Sequence, residues 1–278
     1  MTRRRFLGSC LSLLAGAALA PAAGARGAGK ASLPTISIII DDIGYELAGG
    51  LRAVALPGPV TCSVLPDTPH ADRLARAAHR AGKEVMVHLP MQATEALPLG
   101  PGGLTLDMTE QAFRASVARS IAAVPHARGV NNHMGSLLTR HPGHMAWLME
   151  ELRHHRDLYF VDSRTTDRSV ARQVAREHAI PGTQRDIFLD TIPGDRAYVR
   201  QQFIQLVNVA RHKGHAVAIG HPYPATLDVL EDHLAHLDML GVQLVPVSQR
   251  IREEEAPRLW QASWSPSPTA ARNSKPSP

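Results

Sequence analysis

The chain has 278 residues, 44% of them hydrophobic and 20% charged, with 21 Gly, 21 Pro and only 4% aromatics. That apolar fraction suffices for a sizeable buried core and excludes a disordered, collagen-like or coiled-coil chain. The formal net charge of +5 invites a nucleic-acid reading, but residues 1–30 hold five Lys+Arg and no acid, and residues 31–278 balance at 25 Lys+Arg against 25 Asp+Glu.

Arg3, Arg4 and Arg5 precede a weakly apolar run over 6–20 and then a stretch of small residues. This is the layout of a secretory signal peptide, and the run is shorter than the ~20 residues of a membrane span. Thr2-Arg3-Arg4-Arg5-Phe6-Leu7 is similar to a twin-arginine motif, with a general secretory signal as the alternative. Residues 1–28 are therefore expected to be a leader. The mature protein is expected to be periplasmic or secreted, with no stable membrane insertion after cleavage. With Cys10 in the leader, Cys62 is the single remaining thiol, so no intramolecular disulfide can form. Cys62 lies in an apolar stretch and reads as a buried small hydrophobe rather than a nucleophile.

Short β-rich apolar runs predict strands over 36–40, 60–65, 84–88, 129–131, 158–161, 187–189, 216–219 and 243–247. Helical periodicity covers 70–81, 110–124, 145–153, 169–178, 195–213 and 224–240, with several segments closing on a glycine. Alternating strands and helices imply βα units and a mainly parallel sheet or barrel in a single α/β domain over 31–255. From Ala256 the sequence turns to Pro, Ser, Ala and Arg and reads as a flexible tail over 256–278.

In such folds chemistry collects beyond the carboxyl ends of the strands, which filters the 15 histidines. The first strand ends in Asp41-Asp42. If the strand continues, these carboxylates point in roughly opposite directions, one toward a metal while a turn brings the other toward a bound water. The bland alternative is an Asp pair capping the turn before Gly44. His88, His133 and His221 each follow the end of a separate strand. One Asp with two neutral imidazoles is a mixed O/N set suited to zinc or a similar divalent ion, with open positions for water and substrate. Asp162, Arg164 and Asp190 also follow strand ends and read either as orienting groups or as structural Arg–Asp pairs.

These residues stand in blocks: Ile38-Ile39-Ile40-Asp41-Asp42-Ile43-Gly44, Val87-His88-Leu89-Pro90-Met91, Asn131-Asn132-His133-Met134-Gly135-Ser136, Phe160-Val161-Asp162-Ser163-Arg164 and Ile219-Gly220-His221-Pro222. Through them the chain resembles the divergent polysaccharide deacetylases, a branch of the NodB-like carbohydrate esterases, from about residue 34 to 250. The resemblance implies a distorted (β/α) barrel with a divalent metal, zinc in the first instance. It assigns Asp41 as catalytic base, Asp42 and His88 as metal ligands, and His221 as general acid. The family's second motif carries two histidines four residues apart; here Gln92 stands in the second place, and His133 is the substitute ligand. The family's arginine-bearing third motif has no clear counterpart, which leaves the support of Asp41 open.

The substrate class implied is an N-acetylated envelope polymer, peptidoglycan or an exopolysaccharide. Tyr45, Trp147, Tyr159 and Tyr223 are the few candidates for stacking on sugars. The rival reading is a non-catalytic envelope protein that keeps barrel and metal and binds glycan or regulates another enzyme. Action on another amide or on a phosphoester is a further alternative. A nucleic-acid partner is not expected, for want of a basic aromatic patch.

Overall fold

Four isoleucines and a serine at 36–40 leave no polar face, and these residues are buried on both sides in β1 (Thr35–Ile43). A computed structural model describes residues 33–155 and 157–264, with 256–264 through the backbone alone. The expected leader and the chain beyond 264 lie outside the described residues.

After β1 come α1 (Leu47–Ala55), β2 (Thr61–Val64), α2 (Ala71–Arg80), β3 (Glu84–Met91), α3 (Glu110–Ala123) and β4 (Ala127–Met134). A 3-10 turn leads to α4 (Pro142–His154), β5 (Tyr159–Asp162), α5 (Ala171–Glu177), β6 (Gly182–Gln184) and β7 (Ile187–Phe188). The chain ends with α6 (Arg196–Lys213), β8 (His215–Gly220), α7 (Pro224–Leu234), β9 (Gln243–Leu244) and α8 (Val247–Trp264). All strand pairings are parallel, in the order β6-β5-β4-β3-β2-β1-β8-β7, with β9 on the start of β1.

The two edges of this sheet, β6 and β7, belong to one extended segment separated only by Arg185-Asp186. Arg185 N–H donates to Asp162 O on β5 (3.0 Å) and Asp186 N–H to Val217 O on β8 (2.8 Å). One strand's width therefore separates β5 from β8, and the sheet curls into the expected distorted barrel, closed by a single split strand.

Alternation along the strands sorts the core into two layers. Ile36, Ile38 and Ile40 pack outward with Val85, Val87 and Val130 against the helices. Ile39, Met86, Tyr159, Val161, Val217 and Ile219 fill the interior, joined by Val247 and Ile251 of α8. That helix stoppers the barrel at the amino ends of the strands. The Glu84 carboxylate there accepts hydrogen bonds from Tyr159 Oη (2.8 Å), Thr61 Oγ1 (3.2 Å) and Ser248 N (3.2 Å).

Several expected bounds move. The strand expected through 247 stops at Leu244, because Val247 already begins α8, and the helix expected to 240 ends at Leu234. The backbone is helical to Trp264, past the expected start of the tail at 256. Helix α1 and strand β6 have no counterpart in the sequence reading. No helix among the described residues is long and apolar enough to cross a membrane.

Candidate metal centre

The alternation that fills the barrel also aims its mouth. Asp41 follows Ile39 on the inner face of β1, His88 follows Met86 on β3, His133 follows Asn131 on β4, and His221 follows Ile219 beyond β8. Asp42 would by the same rule face outward. It does not, because its φ is +56° and the β1–β2 register shifts between Ile40 and Ile43. This bulge turns the second carboxylate inward, so both acids face the mouth, and the expectation that they diverge is corrected.

Three donors meet there. Asp42 Oδ1 lies 3.1 Å from His88 Nε2 and 3.0 Å from His133 Nδ1, and the two nitrogens are 3.1 Å apart. Although flanked by two ring nitrogens, Asp42 Oδ1 is buried with no aligned hydrogen-bond donor. Ligand bonds of ~2.1 Å at near-right angles subtend about 3 Å, so this triangle fits a divalent ion held on one face. Asp42, His88 and His133 thus form a possible three-residue metal site.

Asn131 ties the cluster to the strands behind it. Its Nδ2 donates to Asp41 Oδ1 (2.8 Å) and Ser163 Oγ (3.2 Å). Its Oδ1 accepts from Ser63 Oγ (2.7 Å) and His88 Nδ1 (2.9 Å). The last contact places the His88 proton on Nδ1 and leaves Nε2 as the lone-pair donor. Asp41 Oδ2 lies 3.6 Å from His88 Nε2, on the inner side of the triangle. Burial opposes the charge on Asp42, but His133 and His88 outweigh it and hold this carboxyl well below the usual range. Burial likewise disfavours charged His88, yet Asp41 and Asp42 raise its pKa.

His221, at the end of β8, packs against Phe188 and Tyr223. Its Nδ1 faces Asp190 Oδ1 at 2.9 Å, and its Nε2 is 3.7 Å from Asp42 Oδ2. Asp190 is itself fixed by Thr226 Oγ1 (2.7 Å) and the His221 N–H (2.7 Å). Burial alone would depress the imidazole; the bond and charge of Asp190, with Asp42 and Asp41 behind, carry its pKa to about 9. The ring is therefore a cation at neutral pH with Nε2–H directed at the cluster.

All five site residues named from the sequence come together. Asn131, Ser63 and Ser163 were missed as functional, although Asn131 stands beside the metal-site histidine block. Gln92 is not at the centre: its Oε1 accepts from Leu106 N (2.8 Å) and fastens the loop after β3. Asp162 accepts from Arg164 N (2.8 Å) and Ser169 Oγ (2.7 Å), shaping the turn beyond β5 rather than pairing with a ligand. Tyr159 and Trp147 leave the list of sugar platforms, being buried at the barrel floor and packed on Phe113 respectively. Tyr45 and Tyr223 remain exposed beside the site.

Comparison with known proteins agrees with this architecture. A family model described as divergent polysaccharide deacetylase matches residues 38–251. The Escherichia coli K12 protein named "Uncharacterized protein YibQ" is 35% identical over 220 residues, 79% of this chain and 68% of that protein. The crystal structure of ATU2773 from Agrobacterium tumefaciens superposes with a TM-score of 0.74 at 21% identity, over 80% of this chain and 90% of that one. A structure called "T48 deacetylase with substrate" reaches a TM-score of 0.50 at 12% identity, over 80% and 92%. BA3943 from Bacillus anthracis, called a CE4 family pseudoenzyme, reaches 0.50 at 11%, over 79% and 66%. Since the family match spans almost every strand of the barrel and all five clustered residues, the chain belongs to the divergent polysaccharide deacetylase family.

Proposed function

We propose that the protein is an exported, zinc-dependent deacetylase that removes acetyl groups from N-acetylated sugars of an envelope polysaccharide, peptidoglycan or an exopolysaccharide. One observation carries this reading: a three-donor triangle has the Asp41 carboxylate 3.6 Å from His88 Nε2 and the ring of His221, held by Asp190, 3.7 Å from Asp42. Bound by Asp42, His88 and His133, a divalent ion supplies Lewis acidity toward the acyl carbonyl and a lowered pKa for water. Asp41, anchored through Oδ1 by Asn131, takes the proton of the attacking water on its other oxygen. His221 gives its Nε2 proton to the departing amine, and Asp190 keeps the ring oriented throughout.

Fold alone does not decide activity, since BA3943, called a pseudoenzyme, shares it. The missing second-motif histidine was the ground for a non-catalytic glycan-binding protein, and His133 supplies the third donor instead. The test is acetate release from acetylated glycan fragments by the leaderless protein, with elemental analysis alongside. Wild type is expected to hold about one divalent ion per chain and His133→Ala to lose it. Asp41→Asn is expected to lower turnover by ~100- to 10,000-fold. A metal-loaded wild type without turnover on any fragment would make the protein a binder; equal turnover by Asp41→Asn would remove that residue as base.

A further inference from the structure

The split strand that closes the barrel leaves a notch in the wall. Strand β6 pairs only with β5, and β7 pairs with β8 only at Ala218 and Ile219. His215 and Ala216, at the start of β8, therefore have no strand on that edge among the described residues. A cavity of about 260 Å³ is lined from both sides of the notch, by Gln184 and Asp186 on one and by Lys213 and His215 on the other. Helix α5 contributes Arg172 and Arg176 to its wall, and α8 contributes Glu254. Gln184 and Asp186 share one face of the split strand. Arg185, between them, turns the other way and donates to Ser163 O (2.7 Å) beside the candidate metal centre. Strand β8 is six residues long, so His215 at its start and His221 beyond its end lie ~20 Å apart. The cavity is a separate place from the metal centre.

Its donors and acceptors are out of balance. Four cations, Arg172, Arg176 and Lys213 in the wall and Arg250 in contact with it, stand against two carboxylates, Asp186 and Glu254. All four carboxylate oxygens already have donors. Lys213 Nζ (3.1 Å) and Val217 N (2.9 Å) donate to Asp186, and Arg172 Nη2 (3.1 Å) and Arg250 Nη2 (3.3 Å) donate to Glu254. The donor side is not used up. Arg250 is 6% exposed, and its Nε is buried without an acceptor. Its Nη2 also donates to His215 Nε2 (2.8 Å), which leaves the His215 proton on Nδ1. Burial and the Arg250 charge lower the pKa of that ring, so it stays neutral. Arg176 is exposed, and its guanidinium has no partner among the described residues. Two surplus positive charges and unmatched N–H groups suit an anion that brings several acceptor oxygens. At about 30 Å³ for each water-sized group the space takes roughly nine, enough for a phosphate and a short ester chain.

We propose that this notch binds a phosphate dianion, free or as a small phosphomonoester, and that the bound anion ties α5 and β6 to the start of β8. The inference is independent of the hydrolytic reading above. Leaderless, metal-loaded protein is titrated by calorimetry with inorganic phosphate and with glycerol phosphate, at an ionic strength fixed with chloride. Saturable one-to-one binding of at least one of them is expected, with a thermal midpoint that rises with its concentration. Tighter binding of glycerol phosphate identifies the ester as the ligand class, and tighter binding of inorganic phosphate identifies the free ion. Arg176→Gln, a change at an exposed side chain, is expected to weaken Kd about tenfold or more while leaving the ligand-free midpoint in place. Adding Lys213→Gln is expected to abolish binding. His133→Ala is expected to leave Kd unchanged, since that residue belongs to the metal centre. No saturable binding of either ligand overturns the site. Binding that survives the Arg176→Gln, Lys213→Gln pair, or that disappears in His133→Ala, places the anion elsewhere and overturns it equally.

Discussion

Asn131 uses all the hydrogen-bonding capacity of its amide: two bonds donated, to Asp41 and Ser163, and two accepted, from Ser63 and His88. In a site where these neighbours are nearly fully buried, this saturation fixes the Asp41 carboxylate and the His88 imidazole relative to each other. The His221 ring is set by Asp190 in a similar way, with a consequence for pH. Because the folded pKa of His221 is raised to about 9 from the ordinary ~6.5, the protonated ring persists through neutrality. Its stabilising contribution is complete below ~6.5 and lost as pH rises through about 9. Turnover that uses this proton should fall on an alkaline limb as the ring loses it. Asp190→Asn should move that limb toward ~6.5 in a kcat–pH profile; an unmoved limb would assign the titration to another group. Asp41, Asp42 and the three histidines were legible in the sequence because charge at the end of an apolar strand is conspicuous. Asn131, Ser63 and Ser163 were not, since an uncharged residue acquires its role only when β2, β4 and β5 are brought round one axis.

The short strands that close the barrel depend on close backbone approach. A Cβ on Gly182 would lie 2.3 Å from Phe160 O, a backbone atom of the adjoining strand β5 that cannot swing aside. Gly182→Ala is therefore expected to destabilise the fold by ~1–3 kcal/mol, read as a shift of the urea midpoint with unchanged slope. No shift would mean that β6 is free to move outward. Elements of this kind escaped the sequence reading for a common reason. Strand β6, three residues long, is too short to show alternation. Helix α1 contains Gly49 and Gly50, poor helix formers, but a Cβ on Gly50 would meet Leu74 Cδ1 at 2.5 Å, so the glycine serves packing against α2. Helix α8 begins in a polar, charged run, and only its Val247 and Ile251 face the barrel interior. The long buried strands, by contrast, were placed within a few residues because both of their faces are apolar.

Across the whole chain, the surplus of cations resides in residues 1–30, and residues 31–278 carry 25 Lys+Arg against 25 Asp+Glu. Among the described residues stability rests on packing without a disulfide, for Cys62 is fully buried and free. Burial pushes its thiol up to about 12, with Lys83 pulling weakly the other way. A thiol reagent should therefore not react with the native leaderless protein and should titrate about one thiol per chain in denaturant. Rapid reaction of the native protein would show that β2 opens locally.

The placement of β1 has a consequence for how the chain reaches this state. One edge of β1 is completed by β2, close behind it in sequence, and the other by β8, with Ile36 opposite Ala216 and Ile40 opposite Gly220. During synthesis the most apolar strand of the protein thus keeps an unsatisfied row of amides and carbonyls until nearly the entire domain has emerged. Its loop closure is long-range and slow by nature. Over that interval the nascent chain presents a template for aggregation and for chaperones alike, and the last helix cannot stopper the barrel until this pairing is made.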